Sequence, residues 1–209
     1  MQDWMKLLLA SAIGYLLGSF NPAIVFSRLF AGKDIRTMGS GNAGSTNVYR
    51  NLGPKFALAV LLCDLLKGVL AAVIGQFLFA GMDMDPGLYG RFAGGFGAIL
   101  GHAFPLWHGF RGGKGVVTAA GMLIVFDWRV IAVMLAVFLI FSVSTRYISL
   151  GSIMAAAALP VCMLIFHFGH WFMFGEALLA GGLVIWLHRT NIGRLVKGCE
   201  SKFYFKPKK

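Results

Sequence analysis

Charge is scarce in this chain. Only 13% of its 209 residues are Asp, Glu, Lys or Arg, against about 25% in a soluble domain, too little polar surface to clothe a water-soluble globule. Acid is scarcer still, with eight Asp and Glu against nineteen Lys and Arg. An isoelectric point near 10.0 usually suggests nucleic acid. That partner needs a soluble basic face, and here the basic residues sit in gaps between long apolar runs, so nucleic-acid binding is excluded. Cysteine is limited to Cys63, Cys162 and Cys199, with no CxxC pair, which indicates neither a disulfide scaffold nor a zinc site. Internal repeats, low-complexity tracts and soluble linkers are missing too, and the longest polar segment is residues 27–55.

What is present is hydrophobicity, with 58% apolar residues and a mean hydropathy of +0.75. An all-α integral membrane protein is expected, because a bilayer crossing needs about 20 mostly apolar residues. Candidate spans are 4–26, 56–80, 88–107, 116–126, 130–141, 150–166 and 171–187. The fourth and fifth are short and are separated by Asp127-Trp128-Arg129, so seven spans are expected, with five as the alternative count. Span one has no small-residue cleavage site after a short apolar core and reads as a retained helix, not a signal peptide. Asn21-Pro22 marks a break or kink within it.

Loop charges favour seven. One set of loops carries Arg28, Lys33, Arg36, Arg50, Lys55, Arg111, Lys114, Arg146, Arg189, Arg194, Lys197, Lys202, Lys206, Lys208 and Lys209, fifteen of the nineteen basic residues. The other carries Lys6, Arg91 and Arg129 with Asp3, Asp83, Asp85 and Asp127, and Lys67 lies inside a span. Merging spans four and five would erase this asymmetry. By the positive-inside rule, the N-terminus is expected outside and the C-terminus in the cytoplasm, as one polytopic domain. Its active site would be built from the cytoplasmic loops 27–55, 108–115, 145–152 and 188–200.

Two of these loops have compositions suited to chemistry. Residues 38–50 combine Gly39, Gly41 and Gly44, which let backbone approach a ligand closely, with Ser40, Asn42, Ser45, Thr46 and Asn47, and end on Arg50, a planar cation suited to phosphate. Residues 110–115 read Phe-Arg-Gly-Gly-Lys-Gly. Arg111, the backbone of Gly112, Gly113 and Gly115, the Lys114 charge and the start of the next helix make a phosphate cradle by composition. The bland alternatives are a flexible surface loop for the first and a tight positive-inside turn for the second. The second is not a Walker A loop, which requires Gly at the position of His108 and Ser or Thr after Lys114. Ser149 and Ser152 open span six, and His188 with Asn191 closes span seven. Glu200, alone among basic neighbours in the tail, is expected to form an ion pair that pins it. Asp64 and Lys67, three apart on one helical face, are expected to neutralise each other structurally. His102 and His108 look like interface packing, and His167 and His170 like outer-face residues. Asp34 and Glu200 stand alone at the cytoplasmic face, so no metal is expected.

An enzyme working where a phosphate ester meets a lipid fits this one-sided clustering best. A transporter of an organic phosphate anion is the alternative, but it would place its polar site near the midplane on paired halves.

The segments 39–48, 110–116 and 188–200, with Gly101-His102, Phe104-Pro105 and Asp64 with Lys67-Gly68, resemble the motifs of the bacterial acyl-phosphate:glycerol-3-phosphate acyltransferases. The resemblance covers about residue 11 to Glu200. Ala43 and Ser45 stand where that family commonly has Pro and Ala. The resemblance implies acyl transfer from acyl phosphate to the sn-1 hydroxyl of glycerol 3-phosphate in the bacterial inner membrane, giving lysophosphatidate and inorganic phosphate. It implies no cofactor; membrane lipids surround the protein, and an enzyme that supplies acyl phosphate is an implied partner. None of the five histidines is followed five positions later by Asp, so the His–Asp dyad of soluble-type acyltransferases is absent. On this reading Lys114 and the Gly112 and Gly113 amides hold a phosphate, Arg50, His188 and Asn191 hold glycerol 3-phosphate, and Ser40 with Asn42 orients the reacting groups. Ser149 and Ser152 are weaker phosphate ligands. Direct transfer is expected, with a covalent acyl-Ser40 intermediate as the rival.

Overall fold

The computed structural model describes residues 2–79 and 84–204. Asp83, the Asp85 side chain, the end of the expected second span at Ala80, and Lys206, Lys208 and Lys209 lie outside the described residues. The described residues are helical, with short turns and two longer connections (32–44 and 104–115) between the α-helices, and they divide into two compact units, Met1–Phe126 and Asp127–Lys209.

The first unit contains α1 (Asp3–Ser19), α2 (Pro22–Ala31), α3 (Ser45–Leu52), α4 (Pro54–Leu78), α5 (Met84–Ala103) and α6 (Val116–Phe126). The break or kink expected at Asn21-Pro22 is a complete break. Proline disfavours helical backbone in the residue before it; the Asn21 side chain then caps α2 by accepting from the Ile24 amide at 3.2 Å, with Pro22 at the first helical position. The break leaves the Phe20 carbonyl outside any helix, where it accepts from Lys67 Nζ at 3.0 Å.

Helix α5 packs between α1 and α4, and α4 also packs on α6. Glycine makes these approaches possible. A Cβ at Gly94 would lie 2.1 Å from the Ala71 carbonyl oxygen of α4, and one at Gly97 would lie 2.2 Å from the Ser11 carbonyl oxygen of α1. Small residues are the usual means of close helix approach in a bilayer, where burial of apolar surface drives little association.

The second unit contains α7 (Trp128–Thr145), α8 (Ile148–Phe166), α9 (Trp171–Leu187) and α10 (Arg189–Val196). α7 packs on α8, and α8 on α9. Asp127 caps α7 through the Arg129 amide at 2.8 Å and lies 3.0 Å from His167 Nε2 at the end of α8. The Arg129 guanidinium beside it holds the Asp127 carboxyl down at about 2. The tail returns to this unit, the Phe203 amide donating to the Arg146 carbonyl at 2.8 Å.

Four helical stretches are long and apolar enough to cross a bilayer, namely Asp3–Ala31 across its break, Pro54–Leu78, Trp128–Thr145 and Ile148–Phe166; the pair Trp171–Leu187 and Arg189–Val196, bent by 57°, makes a fifth if taken as one span. The expected fifth span is longer than its sequence suggested, because Trp128, Arg129 and residues 142–145 join the helix. The expected third ends early, at Ala103, since Pro105 cannot continue a helix. The α6 helix has 11 residues, about 16 Å at 1.5 Å per residue, roughly half the hydrocarbon thickness.

The polar core of the first unit is a buried cluster. Lys67 Nζ lies 2.7 Å from Asp64 Oδ1, and His102 Nδ1 lies 3.1 Å from the same oxygen and 2.8 Å from the lysine nitrogen. The Asp64–Lys67 pairing expected from the sequence is therefore present. His102 is corrected from an interface residue to the third member, at 4% exposure. Removing one partner of a buried ion pair costs about 3–5 kcal/mol because the other charge is stranded. Asp64→Leu is expected to lower the unit's stability by that order, read as a loss of thermal midpoint in detergent solution, whereas Asp3→Asn at the surface should shift it little.

Candidate active site

Asn47 organises the first glycine-rich loop. It sits in the first turn of α3 at 1% exposure. Its amide nitrogen lies 3.0–3.2 Å from the carbonyl oxygens of Ile35, Met38 and Asn42, and its Oδ1 accepts from the Ser40 amide at 3.1 Å. One side chain thus folds residues 35–42 around itself and leaves Ser40 exposed and Asn42 half-buried at the rim. Arg50 is exposed in the last turn of α3.

The second loop is tied to the end of α5. The Gly112 amide donates to the Ala103 carbonyl at 3.0 Å and the Gly113 amide to the His102 carbonyl at 3.1 Å. These two N–H groups, expected to face a phosphate, are used inside the protein, which corrects their role from ligand donors to loop anchors. Gly113 is buried because it lies between the two loops. A Cβ there would fall 2.1 Å from His102 Nε2 and 2.5 Å from the Ala43 carbonyl oxygen. His102 therefore joins the buried ion pair to the glycine-rich turn. Lys114 is half-buried, Arg111 is exposed, and Gly115, at φ 73°, is buried directly ahead of α6. In this unit the structure brings the loop of Ser40 and Asn42 against the loop of Gly113 and Lys114.

Next to them, Asp34 accepts from Arg36 Nη2 at 2.8 Å and Arg28 Nη2 at 2.7 Å. Hydrogen bonding by Arg36 holds the Asp34 carboxyl well below the usual carboxylate range. Burial, with the Arg28 and Arg36 charges, pushes His108 down, so it is neutral at pH 7. Asp34, expected without a second carboxylate beside it, pairs with the two arginines Arg28 and Arg36.

In the second unit the site candidates gather on Glu200. Its Oε1 accepts from Asn191 Nδ2 at 2.8 Å and from Ser149 Oγ at 3.0 Å, and its Oε2 accepts from Arg194 Nε at 2.6 Å. The expected ion pair that pins the tail is present. Burial alone would raise the Glu200 carboxyl, but these three donors outweigh it and lower it, so it is ionised at neutral pH. Ser149 and Ser152 spend their hydroxyl protons on Glu200 and the Ile148 carbonyl. His188, at 3% exposure, has Nδ1 2.7 Å from the Val184 carbonyl oxygen. Because a carbonyl only accepts, the proton sits on Nδ1 and the ring orientation is fixed.

Sequence reasoning missed the organising roles of Asn47, Arg36 and His102. Each lies inside or beside a motif, but its partners are backbone carbonyls or residues distant in sequence, which composition does not reveal. Among the described residues no group of three His, Cys, Asp or Glu could hold a metal ion.

Comparison with known proteins shows the family. The profile of a family described as glycerol-3-phosphate acyltransferase matches residues 8–198. A glycerol-3-phosphate acyltransferase of Prochlorococcus marinus is 44% identical over 190 residues, covering 90% of this chain and 93% of the relative. One from Bacillus cytotoxicus is 40% identical over 196 residues, covering 94% of each. The fold matches crystal structures of PlsY (YgiH), an integral membrane glycerol 3-phosphate acyltransferase. Its glycerol 3-phosphate form is 36% identical, with a TM-score of 0.84 over 95% of this chain and 96% of that one. Its lysophosphatidic acid form is 34% identical, with a TM-score of 0.81 over 95% of each. With a family profile matched over residues 8–198, curated relatives at 40% identity and above, and solved neighbours of the same helical fold, this integral membrane chain belongs to the glycerol-3-phosphate acyltransferase family and is an acyltransferase.

Proposed function

We propose that the protein transfers a fatty acyl group from acyl phosphate to the sn-1 hydroxyl of glycerol 3-phosphate. The observation that carries this reading is the first unit's pair of glycine-rich loops, held together at Gly113 with Lys114 beside it, in a chain whose solved relative is described in a glycerol 3-phosphate form. Family membership decides for an enzyme over an organic-phosphate carrier.

The chemistry needs little activation. Acyl phosphate is a mixed anhydride with a good leaving group. The glycerol hydroxyl oxygen attacks the carbonyl carbon, the tetrahedral intermediate breaks its bond to the phosphate oxygen, and phosphate departs with that electron pair. The hydroxyl proton passes to a phosphate oxygen, leaving 1-acylglycerol 3-phosphate and inorganic phosphate. No His–Asp base is involved; positioning and stabilisation of developing charge supply the rate. Lys114, Gly115 and the positive end of α6 hold a phosphate, with Arg111 at the rim. Gly112 and Gly113 act by holding the loop. In the first unit Arg50 binds glycerol 3-phosphate, and Ser40 and Asn42 orient the reacting groups; in the second unit His188 and Asn191 are glycerol 3-phosphate ligands, with Ser149 and Ser152 as weaker phosphate ligands. Glu200 fixes Asn191. Isolation of an acylated Ser40 after exposure to donor alone would overturn direct transfer.

The protein lies in the bacterial cytoplasmic membrane with seven spans, its N-terminus outside, and its C-terminus and active site on the cytoplasmic side. Support for seven is the basic charge split. The acyl chain is met from the bilayer, and an enzyme that supplies acyl phosphate acts beside this one.

Purified protein given acyl phosphate and labelled glycerol 3-phosphate is expected to form lysophosphatidate and release phosphate in equal amounts, with or without a chelator. Product from acyl-CoA but none from acyl phosphate would refute the donor assignment. Lys114→Ala should raise KM on the order of tenfold or more, as expected for a lost charge-assisted contact. Ser40→Ala should lower kcat by at least about tenfold with KM nearly unchanged; normal kinetics in both variants would remove these residues from the site. A reporter active only in the cytoplasm, fused after Lys209, should be active, and silence there would reject the topology.

A further inference from the structure

We propose that Arg36 is a positioning residue of the transfer reaction, acting by locking the loop that carries Ser40 to the loop that carries Lys114; this rests on the site reading above. Arg36 lies between a fixed carboxylate and two carbonyls of the other loop. Asp34 Oδ1 accepts from the Arg36 amide at 2.9 Å and from its Nε at 3.0 Å, and Oδ2 accepts from its Nη2 at 2.8 Å. Asp34 is held in turn by Arg28 at 2.7 Å. With one edge of the guanidinium occupied in this way, Nη1 is aimed at the second loop, where it donates to the His108 carbonyl at 2.7 Å and the Arg111 carbonyl at 2.9 Å.

Those two carbonyls bracket the least favourable backbone in the loop. Gly109 has φ 67° and Phe110 has φ 56°, and a side-chain-bearing residue in the left-handed region persists only when its surroundings hold it there. The Phe110 ring is 56% exposed, so burial of the ring does not do so. The clamps are Arg36 on both flanks and the Phe110 amide, which donates to the Pro105 carbonyl at 3.0 Å. Lys114 follows three residues after the Arg111 carbonyl. On the other side, Arg36 cannot drift from its own loop, since Ile35 is fully buried and its carbonyl accepts from Asn47. A lysine could reach one carbonyl but could not engage Asp34 in parallel and both carbonyls in one plane.

The test is a kinetic double-mutant cycle with purified full-length protein, glycerol 3-phosphate and acyl phosphate. Arg36→Gln and Arg36→Lys are expected to lower kcat/KM for glycerol 3-phosphate on the order of tenfold to a hundredfold, as an ångström-scale misplacement does. The thermal midpoint should stay near that of the unaltered protein, because Arg36 ties two loops together and is not part of the helix packing. In a Lys114→Ala background the same Arg36→Gln change should cost less than about threefold, because the group it positions is gone. Asp34→Asn, which keeps Arg36 but loosens it, should give an intermediate loss, and it carries the test should the Arg36 variants fail to fold. Unaltered kcat/KM in Arg36→Gln or, if that variant does not fold, in Asp34→Asn, or an equal loss in both Lys114 backgrounds, overturns the inference. A Lys114→Ala variant with unaltered kinetics refutes the site reading itself and takes the inference with it.

Discussion

A polar group inside a bilayer has no water to fall back on, and the first unit is arranged around that fact. Asp64 and Lys67 are both buried, and neither is tolerable alone in a low-dielectric setting. Their mutual contact satisfies part of the demand. The remainder is met by two groups that the sequence supplies elsewhere. The Phe20 carbonyl is exposed by the Asn21-Pro22 break, and the His102 imidazole sits at the end of α5. The helix break is therefore not a defect of the first span. It releases the acceptor that the lysine needs, and in doing so ties the chain between α1 and α2 to α4 and α5.

From that cluster the constraint passes outward to the chemistry. His102 uses Nδ1 on the ion pair, its carbonyl on the Gly113 amide, and its ring edge as the surface against which Gly113 lies. Gly113 can occupy this place only because it has no Cβ. A larger residue would have to push apart the imidazole and the Ala43 carbonyl, which belong to different elements. The glycine content of the second loop thus serves packing at least as much as ligand approach. Composition alone suggested a ring of amides open to a phosphate. The structure spends the Gly112 and Gly113 amides on the loop itself, and in the proposed reaction the charge of Lys114 and the start of α6 carry the phosphate instead.

Much of the fold was legible in the sequence, because hydropathy reads out the solvent directly. The ends of α6 and α9 and the break at Asn21-Pro22 fall where the apolar pattern and proline put them. Boundaries failed where the signal was not apolar. The helix α7 runs on through Arg129 and Ser142, polar residues at the ends of an apolar stretch, and α5 stops before Pro105 although Leu106 and Trp107 continue the hydrophobic run. Within the site, pairs close in sequence were readable, as Asp64 with Lys67 and Glu200 within the basic tail were. Contacts between distant segments were not. Nothing in the local pattern distinguishes Arg36 from the other basic residues beside it, because its partners are the backbone carbonyls of residues 72 and 75 positions away.

The histidines bear on why a transfer without a protein base is a coherent proposal. A general base must present an unprotonated nitrogen to the substrate hydroxyl. His102 is buried, with one ring nitrogen in the ion-pair cluster and the other against Gly113. His188 donates from Nδ1 to the Val184 carbonyl, which fixes the ring with Nε2 as its unprotonated nitrogen, and its neighbour Asn191 is oriented by Glu200. In the proposed reaction His188 uses that fixed ring to bind glycerol 3-phosphate and is not called on as a base. An acyl phosphate donor suits such a site, since its phosphate departs readily and can take the hydroxyl proton itself. A thioester donor would place a heavier demand on a base. The physical economy of the site is then consistent: the protein invests in buried polar contacts and close glycine packing to hold two loops rigid, and the donor's own anhydride supplies the activation that a catalytic dyad supplies elsewhere.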